Sequence, residues 1–206
     1  MVGSSYLDPY RNAVSRHGPG FEATLWASEK TQRLRFKVFL GLCYFGSKRV
    51  LDAGCGPGDF AAFLLDHNVG YDRYIGLDGL PEVIDAAQQR ELARTQFHAG
   101  DFVIAPQMLS IGQPQIITIS GALNTMDDVT ALSVLGNAWS AAGESLLFNF
   151  LSDRAIGAPQ QQEPARRLPT LRILDWALKR TPEVQMRHDY FPNGHDVTIL
   201  MHKSQS

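Results

Sequence analysis

Hydrophobic and polar positions follow two rhythms along the chain. Short apolar runs bounded by glycine, proline or an acid predict strands over Arg49–Ala53, Arg73–Asp78, Gln96–His98, Gln115–Ser120, Ser145–Leu151, Val184–Tyr190 and Val197–His202. Helical spacing predicts helices between them over Ser28–Phe45, Asp59–His67, Pro81–Arg94, Asp127–Ala142 and Pro169–Lys179, several opened by an acid or a proline. Strands alternating with helices predict an α/β fold. The last two strands are joined by Phe191-Pro192-Asn193-Gly194-His195-Asp196, a turn signal that predicts an antiparallel hairpin at the sheet edge. Asp153–Pro169 has no period and is rich in Gln, Pro, Ala and Arg, so it reads as a loop or lid; no internal repeat is present.

The first strand runs into Val50-Leu51-Asp52-Ala53-Gly54-Cys55-Gly56-Pro57-Gly58-Asp59-Phe60, an apolar strand opening into a glycine-rich turn with a carboxylate at its lip. Bare backbone can approach a ligand that side chains would hold off, so a nucleotide-like cofactor is indicated. A dinucleotide fingerprint would want a third glycine where Asp59 stands and does not ask for Asp52. A carboxylate at the turn repels a pyrophosphate and attracts an ammonium, which suits an amino acid joined to a nucleoside. S-adenosylmethionine is such a ligand. Tyr74-Ile75-Gly76-Leu77-Asp78 ends in an acid about two dozen positions after Gly54, close to the spacing of a ribose-binding carboxylate. Phe97–Phe102 ends in an acid and then an aromatic, so Asp101 and Phe102 are candidates for the adenine amine and ring. The plainer alternatives are a tight turn at the glycines, a cap at Asp101 and a core ring at Phe102.

Taken together, these motifs resemble those of the class I S-adenosylmethionine-dependent methyltransferases, in order over residues 48 to 151. The resemblance implies a doubly wound, mostly parallel seven-stranded sheet with helices on both faces, an antiparallel C-terminal hairpin and an N-terminal helical cap. It implies one methyltransferase domain over 1–206, with the cap at 1–46, the cofactor-binding core at 47–151, and a lid loop, helix and hairpin at 152–206. Cofactor contacts are implied for Asp52, Gly54, Cys55, Gly56, Asp78, Gly79, Asp101 and Phe102. Ser120, in the turn after the fourth strand, and Trp26, in a cap that also holds Tyr10 and His17, join them. The chain is also similar to a group of small bacterial methyltransferases. They share Trp26, Ser28, Gln32, Arg33 and Phe36 before the glycine loop, Asn149 in the fifth strand, and Arg187, Asp189, Tyr190, Pro192 and Asp196 in the hairpin; that likeness names no acceptor. The turn Ser120-Gly121-Ala122-Leu123 lacks the Asn/Asp-Pro-Pro-aromatic motif of relatives that methylate exocyclic amines of bases or glutamine amides. The protein-arginine, RNA-cytosine and catechol-type motifs are missing too. By resemblance and elimination, a small-molecule acceptor and no metal are expected.

Composition narrows the partners. At 206 residues and 44% hydrophobic, the chain fits one domain with a substantial core. With 19 basic against 21 acidic residues it has no field to gather nucleic acid. Cys43 and Cys55 have neither metal-site nor disulfide-framework spacing, so a reducing cytoplasm is expected. Met1–Ser5 lacks an apolar signal core and no run could span a bilayer, so no membrane partner is expected. Nothing in the sequence sets the oligomeric state. Acceptor contacts are expected from Tyr10, Asn124, Asn149 and Tyr190, although for Asn149, an amide within an apolar strand, a structural hydrogen bond is the default. If the acceptor needs a general base, His195 paired with Asp196 or Asp189 is the candidate and His17 its rival; an idle surface histidine is the commoner reading of either position. Two other readings stay open: a non-catalytic cofactor-binding or interaction module, and a nicotinamide-dependent oxidoreductase.

Overall fold

The computed structural model describes residues 5–157 and 163–204. Helices α1 (Asp8–His17) and α2 (Glu29–Leu42) precede the sheet, and the rest of the chain alternates. The order is β1 (Arg49–Ala53), α3 (Asp59–Asp66), β2 (Arg73–Asp78), α4 (Pro81–Gln88), β3 (Thr95–Ala99), β4 (Ile116–Ser120), α5 (Asp128–Ala141), β5 (Ser145–Leu151), α6 (Thr170–Leu178), β6 (Val184–Arg187) and β7 (Asp196–His202). The seven strands form one sheet in the order β3-β2-β1-β4-β5-β7-β6. The first five strands pair in parallel, and β7 enters antiparallel between β5 and β6, as the hairpin signal predicts.

Both faces of the sheet are covered, which is why its central strands read as unbroken apolar runs; every residue of β5 is buried. Alternation along β1 sends Val50 into an aromatic cluster under α2 and α3, and Leu51 and Ala53 into an aliphatic one under α5 and α6. Phe60 is the hub of the first cluster, with ring centroids 5.0 Å from Phe36, 5.5 Å from Phe45 and 5.8 Å from Phe39. Because Phe60 opens α3, this packing anchors the glycine turn just before it.

Element starts fall where side chains can cap them. Ser28 Oγ accepts from Thr31 N at 3.3 Å ahead of α2, and Asp127 Oδ1 accepts from Thr130 N at 2.7 Å ahead of α5. Element ends differ from the expectation. The helix expected over Pro81–Arg94 stops at Gln88, and Glu91 and Arg94 then take φ of +48° and +58°, outside any helix. The sixth strand stops at Arg187 rather than Tyr190, and Asp196 lies inside β7 rather than in the turn. Helix α1 has no counterpart among the helices expected from periodicity; it packs on a 3-10 turn at Phe21–Thr24 to form the cap. Of the Asp153–Pro169 loop, the described parts hold only an isolated bridge between Ser152 and Leu168; residues 158–162, like Met1–Ser4, lie outside the described residues. Strand succession reverses between β1 and β4, which opens a crevice at their carboxyl ends.

Candidate active site

A cavity of about 330 Å³ opens at that crevice. Its floor is the glycine turn. Gly54 N and Cys55 N donate to Leu77 O at 2.7 and 3.2 Å, and Gly56 N donates to Asp78 Oδ2 at 3.0 Å, so the ends of β1 and β2 are locked together. Gly56 sits at φ +54°, where side chains are strained, and a Cβ there would meet only Thr24 Cγ2, at 3.4 Å across the cavity wall. A side chain at Gly56 would therefore occupy space that the bare backbone leaves open to a ligand.

The acids divide into different environments. Asp78 Oδ1 also accepts from Leu80 N at 3.1 Å, and among the described residues no cation neutralises this carboxylate; burial raises its pKa. Such a carboxylate fits hydroxyl donors like a ribose diol. Asp52 lies beneath the turn, where Tyr74 Oη donates to Oδ2 at 2.5 Å and Thr118 Oγ1 donates to Oδ1 at 2.8 Å. Burial outweighs these two bonds and pushes its pKa up to about 6. Asp59, where a dinucleotide loop has glycine, accepts from Gln32 Nε2 at 3.1 Å and Arg90 Nη1 at 2.7 Å.

Most of the expected cofactor residues line the cavity: Trp26, Asp52, the Gly54–Gly56 turn, Asp78, Gly79, Phe102 and Ser120. Asp101 is not in the lining. Its Oδ1 accepts from Tyr6 Oη and, at 2.9 Å, from Val103 N, so the cap residue Tyr6 reaches the cavity in its place. Among the acceptor candidates, Tyr10 and Asn124 line the cavity, whereas Asn149 and Tyr190 do not. Asn149 is fully buried behind the β4 turn, with Oδ1 accepting from Gly121 N at 2.9 Å and Nδ2 donating to Ser120 Oγ at 3.0 Å, so it holds the wall instead of touching the contents. Tyr190 Oη bonds Thr198 Oγ1 at 2.9 Å.

Neither histidine candidate is placed at the cavity. His195 Nδ1 accepts from Arg167 Nη2 at 3.0 Å, and burial lowers its pKa. Asp196, its expected partner, is 3.9 Å away and is held by Arg35 through two bonds of 2.8 and 2.6 Å. Asp189 pairs with Arg187 at 2.6 Å. His17 is exposed at the end of α1. The Tyr10 phenol does line the cavity, but burial pushes its pKa up to about 12, too high for a base near neutrality. Among the described residues no three His, Cys, Asp or Glu side chains gather as a metal site requires.

Sequence reasoning missed Tyr6, Thr125, Met126 and the segment Glu163–Ala165, all of which line the cavity. Tyr6 sits beside Tyr10 in an aromatic stretch that did signal a cap, and Glu163–Ala165 falls in the Asp153–Pro169 segment read as a loop or lid, but no motif marks Thr125 or Met126.

A family described as a methyltransferase domain matches residues 50–142. No curated protein sequence matches the chain. Solved structures share the fold. A phosphoethanolamine N-methyltransferase from Haemonchus contortus, complexed with phosphoethanolamine and S-adenosylhomocysteine, superposes with a TM-score of 0.72 at 14% identity, covering 100% of this chain and 50% of that one. An O-methyltransferase family protein from Burkholderia thailandensis gives 0.67 at 20%, covering 85% and 57%. The magnesium protoporphyrin IX methyltransferase of Synechocystis, with S-adenosylmethionine bound, gives 0.62 at 15%, covering 98% and 92%. The chain thus spans only about half the length of the first two.

Proposed function

We propose that this chain is a class I S-adenosylmethionine-dependent methyltransferase that moves a methyl group to a small-molecule acceptor bound in the cavity, without a metal. The observation that carries the reading is one cavity that joins the glycine turn and Asp78 to further walls from the cap and from Glu163–Ala165. Its volume falls in the range of small-ligand sites. The fold does not choose the acceptor, since the similar structures carry names as different as a phosphoethanolamine and a porphyrin methyltransferase.

S-adenosylmethionine, when bound, supplies an activated methyl on a sulfonium with a neutral thioether as leaving group, so the displacement needs no Lewis acid. The chain's own contribution is to bind, align and keep water out. Asp78 offers its carboxylate to the ribose hydroxyls, the Gly54–Gly56 backbone leaves room for the amino-acid portion, and the Asp52 charge beneath the turn favours an ammonium over an anion. Tyr6, Leu7 and Tyr10 from the cap and Trp26 against the β4 turn exclude water. Alignment of this kind can supply effective molarities on the order of 10⁵ M or more. Reaction in a site where neither His17 nor His195 reaches the cavity leaves alignment as the main source of rate.

Isothermal titration with S-adenosylmethionine and S-adenosylhomocysteine tests the reading, with NAD as control. Micromolar binding of both sulfur ligands, weakened at least about 100-fold in Asp78→Ala through loss of a charge-assisted bond pair, is the expected result. Binding of NAD with no binding of either sulfur ligand overturns it in favour of a nicotinamide enzyme.

A further inference from the structure

Four carboxylates line the cavity, Asp52, Asp59, Asp78 and Glu163, and among the described residues no lysine, arginine or histidine does. The remaining residues, Met1–Ser4, Ala158–Gln162, Gln205 and Ser206, carry no basic side chain. Among the described residues, only Asp59 is neutralised, by Arg90 at 2.7 Å. Asp52 is held by two neutral hydroxyls and Asp78 by backbone amides. Glu163 is exposed at the cavity and has no ion-pair partner among the described residues.

Three charges are therefore uncompensated. S-adenosylmethionine, with a sulfonium, an ammonium and a carboxylate, carries a net charge of +1 and leaves a surplus of negative charge. The wall holds one more group for a ligand: Thr125 Oγ1, beside the Tyr10 hydroxyl, has lone pairs with which to accept. Around these groups the surface is apolar, from Leu25, Met126 and Ala165.

Resting on the methyltransferase reading, we infer that the acceptor is an amine with an apolar body, drawn in as its ammonium form by the surplus carboxylates, with Glu163 its counter-charge. The ammonium first gives one proton to water. The freed nitrogen lone pair then forms the N–C bond as the C–S bonding pair stays on sulfur, so the positive charge moves from sulfur to nitrogen. Carboxylates favour that charge before and after transfer, and Thr125 can accept from the N–H. An acidic or phosphorylated acceptor would meet like charges in the same space.

The test uses three probes on one frame, phenethylamine, 2-phenylethanol and 3-phenylpropanoate, each titrated calorimetrically into the full chain saturated with S-adenosylhomocysteine. Phenethylamine is expected to bind about tenfold or more tighter than the alcohol, with the carboxylate weakest. Glu163→Gln, an exposed change that leaves the core untouched, should weaken the amine roughly three- to tenfold and leave the alcohol unchanged. Equal binding of the three probes, preference for the carboxylate, or no binding of any overturns the inference. If S-adenosylhomocysteine itself fails to bind, the methyltransferase reading falls instead.

Discussion

Gly121 follows β4 at φ +77°, and a Cβ built there would lie 2.5 Å from Trp26 Cζ2. Backbone strain and the clash act together, so Gly121→Ala is expected to lower stability by about 1–3 kcal/mol in urea unfolding and to displace the Trp26 ring from the cavity wall. Asp78 was legible in the sequence because its spacing from Gly54 is a local property of one strand-helix-strand unit. The surroundings of Asp101 were not, because Tyr6 lies 95 positions away and only folding brings its hydroxyl to that carboxylate. Asn149 followed the plainer expectation for a buried amide: its partners are Gly121 and Ser120, one strand over. His195 precedes an acid in sequence, Asp196, yet that carboxylate points to Arg35.

Between elements, Arg35 of α2 is the chief tie. Its side chain and that of Asp196 in β7 are 5% and 1% exposed, and the guanidinium is stacked between Trp26 and Phe191 at 4.4 and 4.5 Å from the ring centroids. One group thus joins the cap, a helix, the last strand and the hairpin turn. Breaking it by Arg35→Met leaves Asp196 buried and unpaired, and urea unfolding should show a loss of about 3–5 kcal/mol. The double variant Arg35→Met/Asp196→Leu should recover part of that loss, because no orphan charge remains; equal loss in both would mean that packing against the two rings dominates. Element starts were readable from caps and prolines. Ends were less so, because Pro81–Arg94 keeps a helical pattern past the point where Glu91 and Arg94 turn left-handed.

Across the whole molecule, the two hydrophobic clusters meet at a sheet whose cavity end is acidic, and folding buries Asp52 there at a free-energy cost. Its pKa is about 6 in the native state against about 3.9 unfolded, so native protein holds the proton over that window and unfolded chain does not. The stability this group contributes is therefore full below about pH 4, is lost as pH rises towards 6, and is flat above, a change of about 3 kcal/mol. Urea unfolding of wild type and Asp52→Asn from pH 4 to 7 should show this slope in the difference between the two; a flat difference would contradict it. By itself the sequence determined the α/β alternation, the glycine turn and the acid at the end of β2, because these depend on spacing within a few dozen residues. Only the tertiary structure decided which of the candidates share a cavity, that Tyr6, Thr125 and Glu163 join them, and that His195 and Asn149 do not. Those outcomes depend on pairings between residues far apart in the chain, where burial and the competition for hydrogen-bond partners choose among side chains that look alike in sequence.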